Sequence, residues 1–215
     1  AGVETAEMID PSGQTVTVRR GDIRDLSDLA YFPSLTAVSV QFQSLTSLES
    51  LPACGVEMFD VSANRLTSLS GIEQLPKLTA LTADGNAVTD LTGLGRCLNV
   101  RKLSLNGANV SDLSELRALT KLQDVTLSHC TRRELLIVLH KSSLTHLTLV
   151  GCDLRGDFFR SFDRERALTA LSLTDCELDS TSGLEDFTGL TELTVRGVSG
   201  TFDWSALGGL PLQTV

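Results

Sequence analysis

Apolar residues recur along this chain in short alternating groups, and the groups lie about 22 residues apart. Between Leu78 and Leu113 one phrase is written twice. Leu81 and Leu103, Ala83 and Leu105, Val88 and Val110, Asp90 and Asp112, and Leu91 and Leu113 are pairs 22 residues apart. The central apolar residue of each group serves as a marker. The markers are Val16, Val38, Phe59, Leu81, Leu103, Val125, Leu147, Leu171, Leu193 and Val215, at spacings of 22, 21, 22, 22, 22, 22, 24, 22 and 22. A second apolar position follows each marker by two residues, as in Val40, Val61, Leu105 and Leu149. A third precedes it by three, as in Leu35, Leu78, Leu122 and Leu168. Alternation across the marker is the period of a strand with one face buried. Each strand is followed by a crossover of about twenty residues, so successive strands stack in parallel, one per turn of a right-handed coil. The pattern predicts an α/β solenoid with about ten parallel strands on its concave face and short 3-10 or α turns on its convex face.

Two further columns refine this picture. Five residues past the marker, where the chain leaves the sheet, stand Gly21, Gln43, Asn64, Asn86, Ala108, Cys130, Cys152, Cys176 and Val198. A buried amide there can bond the backbone of adjacent turns. The later thiols read as small buried apolar groups. Nine residues past the marker, Asp25, Ser47, Ser68, Asp90 and Asp112 are short polar side chains suited to accept the free N–H groups of a convex turn. After Arg132 the pattern loosens. Thr131-Arg132-Arg133-Glu134 has the capping-box form, with Leu135, Val138 and Leu139 at helical spacing, which predicts an α-helix over Arg133 to His140. The next crossover is the long one, and its Phe158, Phe159 and Phe162 predict a second helix. Residues 1–14 precede the first clear repeat and are expected to form an N-terminal cap or linker. Residues 15–215 form the repeat domain. It ends inside a strand at Val215, so a further segment, a partner or another subunit is expected to cover that open edge.

The wording from Leu78 onward is L-x-x-L-x-x-x-x-N-x-V-x-D-L-x-x-L, carried by Leu78, Leu81, Asn86, Val88, Asp90, Leu91 and Leu94. This resembles the leucine-rich repeat of the internalin class. It is also similar to the short repeat of a regulatory subunit of type 1 protein phosphatase. The resemblance spans Val16 to Val215 and is tightest from Ile23 to Leu122. It implies a horseshoe-like solenoid, protein recognition through the concave sheet face, and no catalysis.

Net charge is −9, so phosphate backbones and anionic membranes are repelled on average. The longest pure apolar run, Leu135 to Leu139, is far below the ~18 residues that span a bilayer. The expectation is a protein partner, no nucleic acid and no membrane insertion. The five cysteines form no C-x-x-C pair and no disulfide framework, and their compartment is left open between cell surface and cytoplasm.

Outward strand positions are the candidates for binding. Across the middle repeats they gather Met58, Asp60, Asp84, Lys102, Asn106 and Asp124, an acidic patch with one Lys and one Met. His146 and Arg196 lie further along. A basic, partly apolar partner would complement this surface. These columns contain no Trp or Tyr, so an aromatic anchor is not expected in them. No metal, cofactor or catalytic group is expected. Cys130 and Cys152 are assigned to the core, His146 to the concave side and His140 to the convex helix, so they do not converge as zinc ligands must. Arg20-Gly21-Asp22 and Arg155-Gly156-Asp157 are receptor-type triplets in form, but each falls at a tight turn. Asn109-Val110-Ser111 is a glycosylation acceptor in form, with Val110 in the core pattern. The alternative reading is a sensor or regulatory repeat domain of a larger signalling enzyme or nucleotide-dependent switch protein.

Overall fold

The computed structural model describes residues 15–19, 23–162, 167–200 and 203–214. The chain divides into two compact units, Ala1–Lys121 and Leu122–Val215. The N-terminal cap expected over residues 1–14, the first Arg-Gly-Asp triplet and the last marker, Val215, lie outside the described residues.

The first unit carries β1 (Thr15–Arg19), β2 (Ala37–Gln41), β3 (Met58–Asp60), β4 (Ala80–Thr82) and β5 (Lys102–Leu105). All neighbouring pairs are parallel, and the markers stand in file: Val16 beside Val38, Val38 beside Phe59, Phe59 beside Leu81, Leu81 beside Leu103. The opposite side is built of 3-10 turns at Ser27–Tyr31, Ile72–Gln74, Leu94–Arg96 and Ser114–Ala118. Such turns are the tightest way to return a chain that has only about twenty residues per circuit. The last three of these turns each drive one apolar side chain inward, and Ile72, Leu94 and Leu116 are fully buried. Burying a Leu side chain is worth roughly 1.5–3 kcal/mol, and these layers repeat it at every rung.

The polar column nine residues past the marker does act at these turns. Asp25, Asp90 and Asp112 carboxylates accept the N–H groups of Ser27, Thr92 and Ser114, and Ser47 and Ser68 hydroxyls accept those of Glu49 and Ser70. A different device sits three residues further on. Gly71 has φ +103°, and its N–H donates to the Glu73 carboxylate at 2.9 Å. A Cβ at Gly71 would stand 2.3 Å from the Leu48 carbonyl oxygen, so the rungs can pack here only around glycine.

The second unit carries β6 (Asp124–Ser128), β7 (His146–Val150), β8 (Ala170–Thr174), β9 (Glu177–Leu178), β10 (Glu192–Arg196) and β11 (Ser199–Gly200). Val125, Leu147, Leu171 and Leu193 are paired in register through β6, β7, β8 and β10. Beyond β10 the Thr214 carbonyl accepts the Leu193 N–H, a single parallel bridge where a tenth strand was expected. A second parallel ladder, β9 with β11, runs beside the main sheet.

Helix α1 (Arg132–Leu139) starts and ends one residue earlier than the sequence suggests. Thr131 and Glu134 form the expected capping box, and Leu135, Val138 and Leu139 are buried. The second predicted helix is a correction. The crossover after Asp153 contains one 3-10 turn, Phe159–Ser161. Gly156 lies at φ +88°, which breaks any helix begun before it. Phe158, Phe159 and Phe162 then turn inward: Phe158 meets Phe159 and Phe162, and those two meet Phe187, all edge to face at 4.9–6.0 Å. Packing of four rings replaces the hydrogen bonds of a helix.

Candidate functional site

Strand pleating puts alternate side chains on the outer face of each sheet, which is where the sequence places the candidate residues. In the first unit these are Met58, Asp60, Asp84, Lys102 and Asn106. In the second they are Asp124, His146 and Arg196. Met58, Lys102 and Asn106 are exposed, as are His146 and Arg196, while Asp60, Asp84 and Asp124 are half-buried.

The first-unit aspartates are not bare charges. Asp60 Oδ1 accepts the Ser62 N–H at 2.9 Å and the Ser62 hydroxyl at 2.6 Å, and its Oδ2 accepts the Gln41 amide. Gln41 Nε2 also donates to Ser39 at 3.0 Å. Asp84 Oδ1 accepts the Ser104 hydroxyl at 2.7 Å and the Asn106 N–H at 2.8 Å. Both carboxylates are therefore fixed by neutral donors from their own or neighbouring rungs. Gln41, Ser62 and Ser104 thus belong to the surface as positioning groups. Beside Asp60 the face dips into an open hollow of about 210 Å³ lined by Ala37, Ser39, Met58, Asp60, Ala80 and Thr82, and floored by Val38 and Phe59. The small side chains Ala37, Ser39 and Ala80 create the hollow, and Met58, 54% exposed, forms its flexible wall.

A column that the sequence reading passed over borders this face. Four residues past the marker, Phe42, Ala63, Gly85, Gly107, His129, Gly151, Asp175 and Gly197 all have φ between +53° and +89°. Every described rung thus leaves the sheet through one left-handed residue. Glycine takes that conformation freely, but a bulky side chain there is strained by about 1–3 kcal/mol. Phe42 is the bulkiest member of the column, and its ring is 63% exposed. The regular glycines at 85, 107, 151 and 197 were the available signal.

The remaining candidates are structural. Cys97, Cys130, Cys152 and Cys176 are buried, and none of the five cysteines is in a disulfide. Burial, reinforced by the negative charge of Glu73, pushes Cys97 up to about 11. Hydrogen bonding to Cys130 and burial push Cys152 up to about 11. Such thiols are protonated and unreactive at neutral pH. Arg155 of the second Arg-Gly-Asp triplet is held by Asp153 in a bidentate pair at 2.6–2.8 Å, and Gly156 donates its N–H to Asp179. This triplet is a tied turn, not a displayed loop. Val110 of the glycosylation-type triplet is buried. Among the described residues no three His, Cys, Asp or Glu side chains gather where they could hold a metal ion, and no helix is long and apolar enough to cross a membrane.

No protein-family profile and no curated sequence matches the chain. Solved structures do. Internalin C2 of Listeria monocytogenes is 20% identical, with a TM-score of 0.59 over 94% of this chain and 80% of that one. An internalin F of the same organism is 17% identical, with a TM-score of 0.68 over 94% of this chain and 66% of that one. A TLR13 structure in complex with the single-stranded RNA ssRNA13 is 17% identical, with a TM-score of 0.74 over 94% of this chain and 32% of that one. At such identities the likeness speaks for the fold. That likeness, with parallel strands at 22-residue intervals and markers in file, shows the fold of a leucine-rich repeat solenoid, the fold these internalins share.

Proposed function

We propose that the chain is a non-enzymatic protein-interaction module, and that it binds through the outer face of its sheet. The observation that supports this most directly is the build of the first-unit face. Its Asp60 carboxylate is held in place at the edge of a largely apolar hollow, Asp84 is held further along the same strands, and Met58 stands exposed at the hollow's wall. Fixed charge next to accessible apolar surface is what a specific partner reads, because charge steers the encounter and buried area supplies the affinity. Lys102 and Asn106 extend this face within the first unit, and Asp124, His146 and Arg196 are the corresponding contacts offered by the second. Among the described residues the Cys97 and Cys152 thiols are buried and protonated, and the interior around them is packed with Leu and Val, which supports a binding role over nucleophilic chemistry.

The partner is a protein with a basic, partly apolar surface. The TLR13 neighbour is a complex with RNA. Here a net charge of −9 opposes a phosphate backbone. Reversing charge at Asp60, Asp84 and Asp124 together, each to Lys, should cut capture of the partner from source cells while leaving the circular-dichroism spectrum and melting curve nearly unchanged. Undiminished capture by the folded triple variant would refute the assignment of this surface.

A further inference from the structure

The aromatic residue missing from the outward columns stands at the turn that ends β2. Phe42 is bulky, exposed and held at φ +55°, in a column where the next two rungs use Ala63 and Gly85. A buried ring could repay such strain by packing, but a ring 63% exposed does so only in part. Phe42 follows β2 directly, and Ala37, Val38 and Ser39 of β2 line the hollow, so it stands at the turn that borders the same face.

Its surroundings define what it would hold. The Phe42 N–H donates to the Ser62 carbonyl, and the Ala63 N–H donates to the Asp84 carbonyl. Phe42 and Asp84 are therefore two rungs apart, roughly 10 Å at ~4.8 Å per rung. Asp84 engages its neighbours through Oδ1 alone, and Oδ2 accepts no bond among the described residues. A ring on one side and an unengaged carboxylate oxygen on the other form a seat for a planar cation. Arginine suits it better than lysine, because a guanidinium stacks on an aromatic face while its edge pairs with a carboxylate. The hollow at Met58 lies upstream along the same strands. From its middle, near the marker row, to the level of Ser62 and Asp84 is about 10–13 Å at ~3.3 Å per residue. In an extended segment, side chains four residues apart point to the same side and span that distance.

Resting on the proposed sheet-face function, the geometry points to an extended peptide segment of the partner as the ligand of this site, with an arginine seated between Phe42 and Asp84 and an aliphatic side chain four residues away in the Met58–Ala80 hollow. Phe42 is the anchor of that contact, and its strained backbone is retained for binding.

The test is a selection of phage-displayed random dodecapeptides on the whole 215-residue chain, followed by fluorescence anisotropy of the enriched peptides. Enriched peptides should carry Arg and Leu, Ile or Val four residues apart. Each should lose about tenfold in affinity on Phe42→Gly and on Asp84→Asn, and keep it on Phe42→Trp. Relief of the left-handed strain should make Phe42→Gly melt at least as high as the parent, with a gain of about 2–4 °C for each kcal/mol relieved. The inference is overturned if no peptide enriches, if enriched peptides lack arginine, if they bind Phe42→Gly unchanged, or if Phe42→Gly melts lower than the parent. Peptides that ignore Phe42→Gly but are lost on joint reversal of Asp60 and Asp84 would remove the anchor and leave the sheet-face function standing. Peptides indifferent to all these changes would remove both.

Discussion

The two units solve one problem with different chemistry. Where the chain leaves the sheet, the first unit places amides in the interior and the second places thiols. Asn86 donates through Nδ2 to the carbonyls of Val61 and Ala83, both at 3.0 Å, and its Oδ1 accepts the Leu66 N–H at 3.0 Å. Asn64 repeats this one rung earlier with Val40, Val61 and Leu45, and the Gln43 carbonyl accepts the Ile23 N–H. In the second unit Cys130, Cys152 and Cys176 make weak thiol bonds of 3.3–3.5 Å to nearby carbonyls, and the Cys152 sulfur weakly accepts the Cys130 N–H at 3.4 Å. The difference follows from what the backbone does next. Just past the cysteines it forms its own ladder. Asp153 donates its N–H to the Cys130 carbonyl, Glu177 to that of Cys152 and Ser199 to that of Cys176, at 2.9–3.0 Å. An amide side chain is required where a turn leaves N–H groups unpaired, and a thiol suffices where neighbouring turns pair them already.

The largest effect expected from this contrast is at Asn86. Replacing it by Ala strands the Leu66 N–H and takes the amide donor from the Ala83 carbonyl in a dry interior, and should lower stability by about 2–4 kcal/mol in urea denaturation. Asn86→Cys should be nearly as damaging, because a thiol does not replace the amide's bonds to Leu66, Val61 and Ala83, and no bond like that from Asp153 to the Cys130 carbonyl is made to the Asn86 carbonyl among the described residues. If Asn86→Cys is instead neutral, the ladder does not explain the cysteine column. Next in size is the helix that only the second unit has. Thr131→Ala removes the hydroxyl that accepts the Glu134 N–H and should cost about 1 kcal/mol, visible as a lower urea midpoint with an unchanged slope. Cys152→Ala leaves the backbone ladder intact and removes one sulfur atom from a packed site. It should cost about 1 kcal/mol or less, well below Asn86→Ala.

The same contrast separates what the sequence disclosed from what it did not. The file of Leu and Val markers was legible because burial is periodic and a one-residue slip would expose every member. The capping box of α1 was legible because its two side chains satisfy each other locally. The second ladder at β9 and β11 was not, since Glu177-Leu178 and Ser199-Gly200 carry no strand pattern and pair only because the rungs above and below exist. The crossover at Phe158 misled because three aromatic residues within five positions fit a helix face as well as an inward-turning loop. Of the surface, the outward columns were legible from alternation. Phe42 was not, because a left-handed residue is recognised by glycine, and the rung that matters most there has none.

The smallest effect separates the units by acid. Asp90 in the first unit is held below the usual carboxylate range by the hydroxyls of Thr92 and Ser68 and by the Thr92 N–H. Asp153 in the second is held lower, at about 2, chiefly by the Arg155 guanidinium and the Arg155 N–H. Both pKa values lie below the ~3.9 of an unfolded Asp. Each group therefore stabilises the fold above that pH and loses its contribution as pH falls through the folded value. Both side chains are exposed, so solvent screening keeps either contribution small. Asp90→Asn and Asp153→Asn should each flatten the fall in urea midpoint below about pH 4, with Asp153→Asn still differing from the parent at the lowest pH reached. Salt separates them further. The Asp153–Arg155 pair is ionic and exposed, so 1 M NaCl should shrink its effect, whereas Asp90 is held by neutral donors and should respond less. Equal salt sensitivity at the two positions would show that charge pairing with Arg155 does not distinguish this turn from its counterpart in the first unit.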